Sequence, residues 1–321
     1  MKIREIIDAA AREGRCRFSC EMLPPLKGDG TDGVFAAVDR LAGFDPAWID
    51  ITFHREIIAE RTSADGRTER HALRRRPGTV GISAALRDRY GFEVVPHLIC
   101  GGLSRYDIED ALIDMDFLGL HNVLALRGDK SPGEERFTPH PQGHSRAVEL
   151  VRQIMAMNRG EFVDGQVDEC HHSTFSAGVA GYPEKHADAA SLDEDIAHLK
   201  EKVDAGAEYV LTQLFFDNRR YFDFVERCRQ AGIGVPIIAG VKPLSTVRHL
   251  EILPEVFGTE IPDDLVREVR RHAGDPAAVR AAGTEWCTAQ CRELKAAGAP
   301  VIHFYTMSRT DQIADILENI L

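Results

Sequence analysis

Short apolar runs recur along the chain, and a segment with helical spacing follows each of them. Eight runs predict strands, at 16–23, 48–53, 93–100, 122–128, 176–182, 209–216, 236–241 and 300–306. Helices are clearest at 31–43, 105–119, 191–205, 219–232 and 308–320, where apolar residues stand three and four positions apart. This alternation predicts a single α/β domain over residues 1–321, a (β/α)8 TIM barrel, with a doubly wound sheet as the alternative.

The longest interruptions of this alternation are 54–90, 129–147 and 156–175. They predict insertions after strands two and four and before strand five, where a barrel tolerates long loops near its active face. Polar residues also follow most of the predicted strands: Glu21, Thr52, His97, Arg127-Gly128-Asp129, Tyr182, Gln213, Lys242 and Tyr305. Because the carboxyl ends of barrel strands meet at one mouth, we expect these side chains to converge there.

The stretch CEMLPPLKGDGTDG, residues 20–33, allows two interpretations. Its glycines form a G-x-G-x-x-G, but a dinucleotide-binding fingerprint places the first glycine directly after strand one. Here six residues, including Pro24-Pro25, separate Glu21 from Gly28. We therefore interpret the glycines as a loop and Glu21 as the residue that carries chemistry.

Composition excludes some classes of partner. The net charge of −12 argues against nucleic acid or an anionic membrane as a partner, although local cations can still hold an anionic small ligand. No early apolar segment has the length of a signal peptide or membrane span, so we expect a cytoplasmic protein. Cys170-His171-His172 and Cys287-x3-Cys291 lack a second ligand pair, so we expect no metal site.

Six motifs together resemble the methylenetetrahydrofolate reductase family, in the same order and with similar spacing. They are FSCEMLPP, PHLIC, NVLALRGD, GVAGYPEKH, KVDAGAEYVLTQLFFD and HFYT, and the resemblance runs from about Phe18 to Arg309. It covers only the catalytic barrel of bacterial-type members. It implies a (β/α)8 barrel that binds FAD and reduces 5,10-methylenetetrahydrofolate to 5-methyltetrahydrofolate with NAD(P)H, which supplies methyl groups for methionine synthesis.

The resemblance also implies roles for individual residues. Glu21 matches the family's proton donor, and Asp129 matches an aspartate near both flavin and folate. Gln213 matches a glutamine that binds substrate, and Arg309 an arginine at the folate tail. Positions that match FAD contacts are Thr52, His54, His97, Arg127, Gly128, Asp129, Ala147, Tyr182, His186, Ala189, Asp195 and Lys202.

Three positions depart from the family pattern. Thr52-Phe53-His54-Arg55 stands where bacterial members have Thr-Tyr-Gly-Ala, Leu253 replaces a phenylalanine, and Arg146 replaces a tyrosine. The first departure matters most, because small residues allow close approach of a ligand whereas His and Arg reach outward.

The implied chemistry needs an acid near neutral pH, because protonation of one folate nitrogen opens the methylene bridge to an electrophilic iminium. An apolar run and the charge of nearby Asp129 should raise the pKa of Glu21 by desolvation and like charge.

Two other function classes stay open: a non-catalytic FAD or folate carrier subunit, and an unrelated barrel with Lys242 as a Schiff-base nucleophile. Lys242 precedes a proline in a loop, which favours a solvated lysine. The sequence leaves the oligomeric state open, with a homo-oligomer as one outcome.

Overall fold

Eight parallel strands close into a barrel in the computed structural model, which describes residues 1–63, 66–131, 134–167, 171–307 and 309–321. The strands of the described residues are β1 Arg17–Met22, β2 Ile49–Ile51, β3 Ile57–Thr62, β4 Thr68–Leu73, β5 Val94–Ile99, β6 Asn122–Leu126, β7 Glu161–Phe162, β8 Gly165–Gln166, β9 Ser176–Gly181, β10 Tyr209–Thr212, β11 Ile237–Val241 and β12 Val301–Tyr305. The barrel order is β1-β12-β11-β10-β9-β6-β5-β2, which confirms the predicted (β/α)8 fold and all eight predicted strands.

Helices pack around the barrel and follow most of its strands. They are α1 Ile3–Arg12, α2 Asp32–Ala42, α3 Thr79–Tyr90, α4 Arg105–Phe117, α5 Ala147–Met157, α6 Leu192–Asp204, α7 Asn218–Gln230, α8 His249–Phe257, α9 Asp263–Arg271, α10 Pro276–Ala296 and α11 Asp311–Ile320. The five helices with the clearest spacing are confirmed to within three residues at each end. No helix of the described residues is long and apolar enough to cross a membrane.

The interruptions of the alternation hold their own secondary structure. Segment 54–90 contains the antiparallel pair β3 and β4 and then α3, and segment 156–175 contains the short pair β7 and β8. Between β11 and β12 the chain adds α8, α9 and the 21-residue α10, an insertion that the sequence analysis did not identify.

Side chains alternate between the inside of the barrel and the surrounding helices, as strand geometry requires. On β1, Phe18, Cys20 and Met22 belong to the large cluster that the helices cover. Ser19 and Glu21 therefore face the barrel interior. At the amino-terminal end, Ile3 and Ile7 of α1 pack with interior residues of the strands and close that end with apolar surface.

Candidate active site

Glu21 faces the interior at the carboxyl end of β1, between β2 and β12. Its backbone pairs with Tyr305 of β12 on one side and with Asp50 of β2 on the other. The Thr306 hydroxyl donates a hydrogen bond to the carbonyl oxygen of Glu21 at 2.5 Å. Three strands thus hold this carboxylate at the mouth, as the sequence predicts.

Burial raises the pKa of the Glu21 carboxyl above its ordinary value, and the negative charge of Asp50 raises it further. His97, a hydrogen bond from Thr52 and the Lys242 cation act in the opposite direction. The expected direction of the pKa is therefore correct. The like charge, however, comes from Asp50, whereas the sequence analysis assigned it to Asp129.

Lys242 lies just beyond β11 with its side chain inside the mouth. Only 5% of the residue is exposed, and its Nζ donates to the carbonyl oxygen of Tyr305 at 3.3 Å. Burial lowers the Lys242 pKa to about 8, against the attraction of Glu21. The expectation of a solvated loop lysine was wrong, because the mouth, rather than solvent, surrounds this position.

A buried polar cluster lies in the barrel interior close to Glu21. Asp50 accepts a hydrogen bond from the Trp48 indole nitrogen at 2.7 Å, and its other oxygen lies 3.4 Å from His97 Nε2. His303 Nδ1 lies 3.6 Å from Asp50 Oδ2 and 2.9 Å from Ser19 Oγ. All five residues are buried. The sequence analysis had noted His97 alone and had not joined it with Asp50 and His303.

This cluster predicts an acid-dependent loss of stability. Burial lowers the His303 pKa to about 4, against an ordinary value near 6.5. His303 is therefore neutral in the folded chain, and its contribution to stability is complete above about pH 6.5 and lost as the pH falls towards 4. We expect a loss of up to about 3 kcal/mol in the free energy of unfolding from this residue.

Urea unfolding at pH 7, 5.5 and 4 measures this loss, with His303→Asn as the variant. The variant should lose less stability with falling pH than the wild type. Part of the loss should remain, because burial also lowers the His249 pKa to about 4. An unchanged pH dependence would contradict the assignment to His303.

Arg127, Gly128 and Asp129 follow β6 at the opposite side of the mouth. Arg127 forms an ion pair with Asp188 at 2.7 Å, and its guanidinium carbon lies 4.9 Å from the centre of the Phe137 ring. Gly128 has φ +83°, and an added Cβ would lie 3.3 Å from Ile99, so glycine suits this turn. Asp129 is exposed.

Tyr182, His186, Asp195 and Lys202 form a second group next to Arg127. The rings of Tyr182 and His186 meet edge to face at 4.7 Å, and Asp195 accepts from the His186 backbone nitrogen at 2.9 Å. Lys202 Nζ donates to the Ala180 carbonyl oxygen at 2.6 Å, and burial lowers the Lys202 pKa to about 8. Asp195 and Lys202 therefore face the barrel and are not a solvated helix surface.

The loop after β2 contains the departure at residues 52–55. The Thr52 hydroxyl donates to the Met22 carbonyl oxygen at 3.3 Å, while His54 is exposed. Arg55 crosses to the loop after β5, where an added Cβ at Gly102 would lie 3.0 Å from Arg55 Nε. Its Nη1 is buried, lies 3.6 Å from a Glu134 oxygen and has no hydrogen-bond partner in the described part of the chain.

The remaining predicted residues lie around the same end of the barrel. Gln213 follows β10, and its side-chain oxygen accepts from the Leu214 backbone nitrogen at 2.9 Å. Arg309 is exposed just after β12, near enough for its charge to lower the Lys242 pKa. Ala147 begins α5, and Ala189 is buried in the loop before α6.

Two further observations concern Leu253 and a metal site. Leu253 is buried in the apolar cluster of α8–α10. Across the described residues, no group of three or more His, Cys, Asp or Glu side chains could hold a metal ion, and Cys170 lies outside those residues.

Comparisons with known proteins agree on one family. The family described as "Methylenetetrahydrofolate reductase" matches residues 3–321. The "Probable methylenetetrahydrofolate reductase (NADH)" of Oryza sativa subsp. japonica is 32% identical over 329 residues, which cover 100% of this chain and 50% of the rice protein. The chain thus spans about half the length of the first of these relatives. The "5,10-methylenetetrahydrofolate reductase" of Escherichia coli strain K12 is 27% identical, over 93% of this chain and 88% of that protein.

A solved structure supports the fold independently. An uncharacterized protein from Clostridium thermocellum, described as binding two copies of 5-methyl-5,6,7,8-tetrahydrofolic acid, superposes with a TM-score of 0.54. The match covers 98% of both chains at 12% identity, so it bears on the barrel architecture alone.

Proposed function

The chain belongs to the methylenetetrahydrofolate reductase family, and from this membership we propose that it reduces 5,10-methylenetetrahydrofolate to 5-methyltetrahydrofolate. In this proposal NAD(P)H supplies the electrons, a bound FAD passes them on, and the two substrates use the mouth in turn. The product would supply methyl groups for methionine synthesis. The observation that carries the proposal is Glu21, an inward-facing carboxyl at the mouth whose pKa burial raises.

Glu21 would supply the proton that the reaction needs. The methylene carbon of the folate bridges two nitrogens, and protonation of one of them opens the bridge to an iminium. A carboxyl with an ordinary pKa is almost fully ionised at neutral pH, so a raised pKa increases the fraction able to donate. Asp129 would favour the cationic iminium by its charge, and the amide of Gln213 would bind the pterin edge as donor and acceptor.

The residues near Arg127 and Arg55 fit an FAD. Arg127, His186 and Lys202 offer donors and positive charge, as a pyrophosphate requires. The buried Arg55 Nη1 lacks a hydrogen-bond acceptor in the described chain, so it has a donor to spare for a polar ligand. Glycine at 128 lets a ligand approach the backbone closely. FAD bound there would supply the hydride to the methylene carbon.

Arg309 would bind the anionic tail of the folate from the rim. It is exposed just beyond β12, on the side of the mouth where Lys242 lies. Arginine suits carboxylate recognition because its planar guanidinium can donate two parallel hydrogen bonds. In this arrangement the cationic rim holds the tail while the pterin reaches Glu21 and Gln213.

The visible spectrum of the purified protein tests this function. We expect a flavin band that NADH or NADPH bleaches without oxygen, and that methylenetetrahydrofolate then restores. Bleaching without restoration would support the assignment as a flavoenzyme and contradict methylenetetrahydrofolate as its substrate. Bound FAD or folate without nicotinamide oxidation would favour a carrier. A colourless protein that neither binds added FAD nor oxidises a nicotinamide would contradict the proposal.

A further inference from the structure

Four buried polar atoms in the barrel interior have no hydrogen-bond partner in the described residues. They are Asp50 Oδ1, His97 Nε2, His303 Nε2 and Tyr209 Oη. Each residue is at most 3% exposed. Buried polar groups in proteins are almost always hydrogen-bonded, to protein or to ordered water. Four unsatisfied atoms on facing strands therefore indicate a site for internal water.

The side chains of this cluster lie next to one another in a continuous row. Ser19 Oγ lies 2.9 Å from His303 Nδ1, which lies 3.6 Å from Asp50 Oδ2, and Asp50 Oδ1 lies 3.4 Å from His97 Nε2. The two longer separations exceed a hydrogen bond, so a bridging water or a small side-chain movement would complete them. Imidazole and carboxylate groups alternate along this row of side chains, and each of them can accept and release a proton.

The cluster influences the pKa of Glu21 electrostatically. After burial, the two largest influences on the Glu21 pKa are His97, which lowers it, and Asp50, which raises it. The other polar groups that face this part of the interior are Ser19, Trp48, Thr52, Tyr209, Lys242 and Tyr305. Of these, Lys242 is the one basic group and lies on the rim side, beside Tyr305.

We propose that Asp50, His97 and His303, with ordered water at their unsatisfied atoms, form an internal proton relay that resupplies Glu21. The inference rests on the proposed function. Each turnover transfers one proton from Glu21 to a folate nitrogen and leaves a carboxylate. The cluster passes a replacement proton to that carboxylate: as one imidazole nitrogen or water gives up a proton, its neighbour supplies the next, and the last group takes one from solvent, so His303 stays neutral between turnovers. No electrons move in these steps.

An infrared titration of the Glu21 carboxyl tests the coupling without any activity. The Glu21 band is identified as the ¹³C-glutamate signal that disappears in Glu21→Gln. Asp50→Asn should lower the midpoint of this band, because it removes a like charge, and His97→Gln should raise it. His121→Gln, at the opposite end of the barrel, is the matched control and should leave it unchanged. Equal midpoints in all variants would overturn the proposal.

Kinetics separate a proton relay from a merely structural role. Asp50→Asn keeps an acceptor for the Trp48 indole but removes the carboxylate that takes up and passes on the proton. We expect the ratio of steady-state rate to first-turnover rate to fall about tenfold, a modest share of a typical general acid–base effect. Added imidazole should restore the ratio as an external proton donor. Equal slowing of both rates would overturn the relay. A wild-type protein without folate reduction would instead reject the proposed function, and the infrared result would still decide the coupling.

Discussion

Replacement of Glu21 by glutamine is expected to lower the rate of folate reduction by about 10²–10⁴-fold, the usual contribution of a general acid. Glutamine keeps the size and hydrogen-bonding capacity of the side chain but has no proton of suitable acidity to give. The barrel around it should hold its shape, because the Glu21 backbone pairs with Asp50 and Tyr305 on both sides. The measurement is the rate at which methylenetetrahydrofolate reoxidises the reduced enzyme.

Two controls make this result specific to proton donation. Glu208→Gln makes the same chemical change at the amino-terminal end of the barrel, where Glu208 accepts a hydrogen bond from Ser176, and should retain the rate. Reduction by the nicotinamide should also persist in Glu21→Gln, because that step needs no proton from Glu21. A near wild-type folate rate with unchanged flavin content would reject Glu21 as the acid.

The wild-type rate should also depend on pH in a defined direction. Glu21 donates only when protonated, so kcat/KM for the folate should fall as the pH rises through its pKa. Because burial and Asp50 raise that pKa, this fall should occur at higher pH than for an ordinary glutamate. Its absence in Glu21→Gln would attribute the fall to this residue.

Gly283→Ala is expected to lower the free energy of unfolding by about 3 kcal/mol or more. Gly283 lies in α10, where a Cβ would overlap the carbonyl oxygen of Leu244 and lie 2.7 Å from its carbonyl carbon. A flexible side chain can avoid such an overlap by changing its rotamer, but backbone atoms cannot. The helix α10 itself would therefore have to move. Leu244 is two residues from Lys242, so this shift would also disturb the mouth.

Gly81→Ala is the matched control, because it makes the same substitution in a helix with open space around it. Gly81 is exposed in α3, and an added Cβ there would meet nothing within 4 Å. Alanine restricts the unfolded chain more than glycine does, so this variant should gain up to about 1 kcal/mol. Chemical denaturation measures both variants. Similar changes for the two would contradict the close contact at Leu244.

Much of the barrel was predictable because its signals are local. The eight strands are short apolar runs next to segments of helical spacing, and their order in the chain sets the parallel topology. The strand-end position of Glu21 follows from the same pattern, since side-chain direction alternates along β1. The helices between β11 and β12 were missed because this long segment contains no strand-like apolar run that would mark a repeat of the alternation.

The surroundings of the site depend on contacts that no local pattern records. His303 and Ser19 are 284 residues apart in sequence, yet their side chains lie within hydrogen-bonding distance. Lys242 was expected in solvent because a proline follows it, whereas the mouth buries it beside Tyr305. Burial of a charge is set by distant segments, which neither composition nor spacing reveals.

The pairing of β1 with β12 has a consequence for synthesis of the protein. The ribosome makes β1, which carries Glu21, before the other barrel strands, and it makes β12, which carries Tyr305 and His303, after them. Until then β1 and β11 each present an edge without its neighbour, and such edges favour association with other chains. We expect nascent chains that lack β12 to need chaperone protection, and the cluster of Asp50, His97 and His303 beside Glu21 to form only after β12 has been made.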